Sequence, residues 1–243
     1  MTDNSTKVAI VTGGTGALGR TIVNKFASEG MKVYVPALTI DEFKKVFNES
    51  KPDDEFKLKK IYGFECNATD EISVNNFVDS VAKLEKNRID ILVNTIGGIA
   101  PPKQVADMDN EYFKRMFDFN FMSTLNFTRR CLTYMRTYNF GRIVSIGALA
   151  ALETTPARFA YGYAKTGVIS LMDTVSEEMK EFNIRANTVV PSIIDTPANR
   201  EWGSDDDIKK WVKPEEISNI IFDLVSEKFK SVRNSIIKVL GEY

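Results

Sequence analysis

Two side chains, Tyr161 and Lys165, stand in the run Tyr-Gly-Tyr-Ala-Lys. Residues four apart share one face of a helix. An ammonium there lowers the pKa of the phenol and makes it a proton donor near neutral pH. Tyr163, two residues on, faces elsewhere. The chain contains no histidine, so acid–base chemistry falls to Tyr, Lys, Asp or Glu. A second chemical signal is the run Thr12-Gly13-Gly14-Thr15-Gly16-Ala17-Leu18-Gly19. Glycines at this spacing permit a tight turn and let a pyrophosphate approach the amides of a helix N-terminus.

These residues need a frame, and the hydrophobic pattern supplies one. Lys7–Thr12 reads as a buried strand and Ala17–Glu29 as a helix closed by Gly30, which places the glycine turn between strand and helix. Further strands are expected at Lys32–Val35, Leu58–Cys66, Asp90–Asn94, Arg142–Ile146, Ile184–Val190 and Ile236–Leu240. Helices are expected at Ile40–Glu49, Asp70–Lys86, Asp109–Tyr138 and Ala160–Phe182 and from Pro214, with a polar turn at Lys51–Glu55. Asp109–Tyr138 reads as one long helix. The alternation predicts an α/β fold, a single-domain Rossmann-type doubly wound parallel sheet with helices on both faces. The segment Ile193–Lys213 is too long for a simple connection and reads as a mobile substrate lid.

Composition narrows the function classes. A chain of 243 residues with 43% hydrophobic and 27% charged residues suits one soluble α/β domain. The net charge of −1 gives no global field that favours nucleic acid or a membrane surface. No apolar run approaches the roughly 20 residues that span a bilayer, and the N-terminus lacks a signal-peptide core. A cytoplasmic protein is expected. Cys66 and Cys131 form no disulfide framework and match no metal motif.

Taken together, these motifs resemble the short-chain dehydrogenase/reductase family over essentially the whole chain. The turn TGGTGALG is similar to that family's TGxxxGxG element. The resemblance implies that Gly13, Thr15, Gly16, Leu18 and Gly19 shape the coenzyme turn. Asn94, in Asn-Thr-Ile-Gly-Gly, resembles the Asn-Asn-Ala-Gly element, and Asn67 stands where the family has an Asp facing the adenine. Pro191-Ser192-Ile193-Ile194-Asp195-Thr196 resembles a segment whose backbone clamps the carboxamide at Pro191, Ile194 and Thr196. Tyr161, Lys165 and Asn120 match three of four catalytic positions. By the resemblance Tyr161 donates a proton, Lys165 binds the nicotinamide ribose, and Asn120 helps hold a relay water. The coenzyme is NADH or NADPH. The second strand ends in Val35-Pro36-Ala37-Leu38-Thr39, with neither an acid for a ribose hydroxyl nor a base for a 2′-phosphate.

The fourth catalytic position departs from the family. Thirteen residues before Tyr161, where the family usually has a Ser, this chain has Ala148. A binding relative with feeble catalysis, an engineered Ser→Ala form, or a substrate that needs no Ser would each account for it. Ser145 is three residues away on a strand and points to the opposite face; Thr154 or Thr155 offers another hydroxyl. The stretch from Gly147 to Lys165 is similar to quinonoid dihydropteridine reductases, short-chain relatives that also carry Ala there. Asp195-Thr196-Pro197-Ala198-Asn199-Arg200, with Trp211 and Pro214, is similar to them too. By this resemblance the reaction is reduction of a quinonoid dihydropteridine; the alternatives are an unidentified carbonyl or quinone substrate, or a nucleotide-binding regulatory role. Trp202 and Trp211 either stack on a flat ring or pack the lid. Apolar residues beyond one stripe on Asp109–Tyr138 and Ala160–Phe182 predict a homodimer or homotetramer.

Overall fold

A computed structural model describes residues 6–47 and 60–242. Seven parallel strands form one sheet in the order β3-β2-β1-β4-β5-β6-β7. They are β1 (Val8–Thr12), β2 (Lys32–Ala37), β3 (Ile61–Glu65), β4 (Ile91–Asn94), β5 (Gly141–Ile146), β6 (Ile184–Pro191) and β7 (Ile236–Val239). The order reverses between β1 and β4, and that switch opens a crevice at the carboxyl ends of both strands. The chain is a single α/β domain of the doubly wound type.

Helices cover both faces. On one lie α1 (Ala17–Ser28), α2 (Ile40–Phe47) and α9 (Pro214–Val225), with Phe26, Ile217 and Ile221 packed on Val11, Val33 and Val189. On the other lie α3 (Glu71–Leu84), α5 (Ser123–Tyr138) and α6 (Phe159–Glu178), with Phe127, Met135 and Met172 packed on Ile10, Leu92 and Ile143. Side chains as large as Phe26 and Phe127 are wholly buried, and each such burial stabilises by about 2–3 kcal/mol. Asp70 caps α3 by accepting from the amides of Ile72 and Ser73.

Several boundaries differ from expectation. β2 continues through Pro36 to Ala37. Pro36 faces the β1 side, where pairing ends at Ile10 with Tyr34, so its missing N–H breaks no ladder bond. β3 follows a turn at Lys60 and runs from Ile61, Leu58 lying outside the described residues, and α2 is described to Phe47. The expected turn at Lys51–Glu55 lies outside the described residues. The stretch expected as one helix at Asp109–Tyr138 is α4 (Asn110–Phe117), a π turn at Asp118–Met122, and α5. A π turn widens the helix at one point and re-aims what it carries, here Asn120. The segment 193–213 is organised rather than loose. It holds the short helices α7 (Pro197–Arg200) and α8 (Asp205–Ile208), and its ends pair in a parallel bridge between Ile194 and Val212.

Candidate active site

The turn after β1 fits a dinucleotide. Gly13 has φ +64, in the left-handed region. A methyl on Gly19 would fall 2.1 Å from the carbonyl oxygen of Gly13, so only glycine lets α1 close against the turn. Gly16, the N-cap of α1, offers no side-chain cap, and the first turn carries no acid. The positive end of α1 is thus open to a diphosphate. Thr15 does more than shape the turn: its Oγ1 donates to Glu42 Oε1 at 2.5 Å.

Across the switch point, Thr95 and Ile96 pack against Gly13. Two residues on, a methyl at Gly97 would lie 2.8 Å from both Asn120 Oδ1 and Lys165 Nζ. One short loop thus links the phosphate turn to the expected catalytic residues. Asn120 is fully buried; it accepts from the Gly98 amide and donates to the Gly98 and Met116 carbonyls, each at 3.0 Å. Both amide hydrogens are used by the frame, and Oδ1 keeps one lone pair beyond the Gly98 bond.

Lys165 is buried, and its Nζ donates to the Ile146 carbonyl at 2.9 Å. Burial holds its pKa down to about 8. Tyr161 sits one turn earlier on α6, and its hydroxyl has no hydrogen-bond partner among the described residues. Burial pushes the phenol up to about 12, with Arg158 acting in the opposite direction. Desolvation thus works against the acidification expected from a neighbouring cation and outweighs the effect of Arg158. At neutral pH Tyr161 is fully protonated, the state that a reduction requires. Arg158, at the N-cap of α6, donates through Nη1 to the Ala100 carbonyl at 2.5 Å; sequence reasoning did not select it, and its only signal was a base three residues before Tyr161.

Ala148 is buried two residues beyond Ile146. Ser145 cannot replace a hydroxyl there. It is wholly buried, accepts from Asn94 Nδ2 at 3.0 Å and donates to Met172 Sδ. Thr154 and Thr155 are exposed on the loop before α6.

The remaining expected coenzyme residues are held by bonds within the fold. Asn94 is buried and braces β4 against Ser145 of β5 and Thr128 of α5. Its side-chain amide faces the helical layer through both of these bonds. Asn67 Oδ1 accepts from the amide and hydroxyl of Thr69 and shapes the turn into α3. Thr196 Oγ1 caps α7 by accepting from the Asn199 amide, and the Ile194 carbonyl accepts from Asn199 Nδ2. Pro191 closes β6, where it aligns with Val239.

The segment 193–213 is pinned at its base. Asp195, with a buried side chain, receives Arg200 through two nitrogens and Lys213 Nζ at 2.6 Å. These cations hold its carboxyl well below the usual carboxylate range, so the contact persists into acid and is lost only as pH falls through that depressed value. Trp202 and Trp211 pack against each other with their ring planes tilted by 45° and centroids 5.0 Å apart, Trp211 buried and Trp202 62% exposed. Replacing Asp195 by Asn is expected to speed proteolytic cleavage of this segment roughly fivefold to tenfold. Timed digestion of native protein checks this.

The model of the short-chain dehydrogenase family matches residues 7–207, and the chain belongs to that family. It is a nicotinamide-dependent oxidoreductase of the short-chain type, and its coenzyme is NAD(H) or NADP(H). The 3-oxoacyl-[acyl-carrier-protein] reductase FabG of Thermotoga maritima is 27% identical, covering 97% of this chain and 96% of the relative. A 7alpha-hydroxysteroid dehydrogenase of Clostridium sardiniense is 29% identical over 98% of this chain and 93% of its own. Among solved structures, ElxO with NADP bound superposes with a TM-score of 0.88 at 22% identity, covering 98% of both chains. NAD+-bound xylitol dehydrogenase gives 0.84 at 22% identity, covering 97% of this chain and 98% of that one. Those two likenesses concern the fold. Among the described residues, no helix is long and apolar enough to cross a membrane.

Proposed function

We propose that this chain reduces a conjugated imine of the quinonoid dihydropteridine type. The observation that carries the reading is Ala148, a methyl where a carbonyl substrate would want a donor, with Ser145 locked beneath the sheet. The bound nicotinamide coenzyme supplies a hydride. Tyr161 supplies the matching proton to a ring nitrogen, and the α1 N-terminus with the glycine turn binds the diphosphate. Lys165 holds the ribose and stabilises the phenolate that forms as Tyr161 gives up its proton, which solvent then restores. Asn120 positions Gly98 and so the wall beside Lys165. Pro191, Ile194 and Thr196 clamp the carboxamide through their backbone, and residues 193–213 close over the substrate, with Trp202 exposed to stack on a flat ring. No oxyanion develops on such a substrate, so the missing hydroxyl costs little.

A carbonyl substrate is the second reading, favoured by the names of the FabG and hydroxysteroid dehydrogenase relatives. Under it, loss of one donor costs on the order of 10²–10³ in rate. Turnover of a quinonoid dihydropterin, a β-ketoacyl thioester and a quinone by the wild type and Ala148→Ser separates the two. We expect dihydropterin reduction that Ala148→Ser changes by less than about threefold; a carbonyl rate that rises roughly 10²-fold in Ala148→Ser overturns the imine reading. Tight coenzyme binding with no turnover of any of the three supports a regulatory protein.

The same helices supply an assembly surface. Phe113 and Phe117 of α4, Phe121 of the π turn, and Phe159 and Tyr163 of α6 form one aromatic cluster with centroids 4.9–6.2 Å apart. Phe159 and Tyr163 are half exposed. We expect a homodimer or homotetramer built on this face. Sedimentation should show it at micromolar concentration, and Tyr163→Glu should shift it toward monomer.

A further inference from the structure

The end of β2 carries neither of the residue types that tell NADH from NADPH. Ala37 is buried, Leu38 is 68% exposed and Thr39 is polar but uncharged. The structure brings an acid to this place from the next element. Glu42 lies in the first turn of α2. Its amide donates to Thr39 Oγ1 at 3.2 Å, which fixes the start of the helix beside the end of β2. Its side chain turns back across 27 residues of sequence to accept from Thr15, inside the phosphate-binding turn.

We propose that Glu42 reads the adenosine ribose and makes NADH the working coenzyme; this rests on the nicotinamide reading above. One carboxylate oxygen accepts from Thr15, and the other accepts from a ribose 2′-hydroxyl. A 2′-phosphate would bring roughly two negative charges against the same carboxylate. Among the described residues Glu42 has no ion-pair partner, and Lys44 and Lys45 lie in the last turn of α2. The Ile40 amide, a donor that a phosphate could use at the helix start, is bound to Glu65 Oε1 at 3.1 Å. Asp41 adds a third carboxylate to the same helix end. The dipole of α2 is therefore countered where a 2′-phosphate would need it.

Titration of tryptophan fluorescence with NADH and with NADPH tests the assignment, on the wild type and on Glu42→Gln. Gln keeps the length and the acceptor for Thr15 but removes the charge. The wild type should bind NADH tighter than NADPH on the order of 10–100-fold. Glu42→Gln should tighten NADPH and bring the ratio to within about threefold, while added salt should narrow the wild-type ratio by screening. Equal affinities in the wild type, or a ratio that Glu42→Gln leaves unchanged, overturn the role of Glu42 while the nicotinamide reading stands. Failure of both coenzymes to bind overturns the nicotinamide reading and this proposal with it.

Discussion

Tyr161→Phe should lower turnover by about 10²–10⁴-fold and leave coenzyme affinity within about twofold. The argument is one of protonation and place. The phenol is partly buried, has no hydrogen-bond partner among the described residues, and is pushed up to about 12. It therefore holds its proton at every pH where the protein would be assayed and can release it only toward a base forming in the site. Phe fills the same space, so the fold and the diphosphate turn are undisturbed. Single-turnover rates and coenzyme titrations on the same preparation check both halves. A variant that turns over normally removes Tyr161 from the reaction.

Lys165→Met should abolish most turnover and at the same time stabilise the fold. The ammonium is buried and its pKa is held down to about 8 from an ordinary 10.5. Below pH 8 both folded and unfolded chains carry the proton, and the folded chain bears the full desolvation cost, about 3 kcal/mol. Between pH 8 and 10.5 the unfolded chain binds a proton that the folded one has released, so stability rises with pH through that window. Met removes the cost but also the bond to the Ile146 carbonyl, worth about 1–2 kcal/mol. The net gain at pH 7 should be about 1–2 kcal/mol, read from denaturant midpoints; it should vanish near about pH 9 and be reversed by about pH 10.5. The same titration predicts that reduction slows above pH 8 as the cation is lost. A destabilised variant at pH 7 would show that the buried amine is not under this strain.

These two residues show a conflict between function and packing. A buried lysine and a partly buried phenol without a partner among the described residues are poor choices for a core, and the lysine sits by Gly97, which leaves room for no side chain, next to Asn120, bonded to Gly98 and Met116. Rigid neighbours around two costly groups make a site whose charges are held in place before a substrate arrives.

Local sequence determined a good deal. Alternating apolar runs and helical periodicity specify a parallel sheet covered on both faces, because a buried strand and an amphipathic helix each announce themselves within a dozen residues. The glycines of residues 13–19 and the four-residue step from Tyr161 to Lys165 are likewise short-range statements, and both lie where the spacing puts them. The acidity of Tyr161 does not follow from spacing: desolvation depends on every element packed around α6 and outweighs the cation one turn away. Asn94, Asn67 and Asn120 keep their places in the chain, yet their side chains bond to Ser145, Thr69 and Gly98, partners that only the folded layers or a particular turn supply. The pairing of Ile194 with Val212, the grip of Asp195 on Lys213, and the reach of Glu42 to Thr15 join residues 18 to 27 positions apart. Such contacts depend on the path of the chain between them, which no local pattern encodes, and they decide how residues 193–213 are held and which acid reaches the glycine turn.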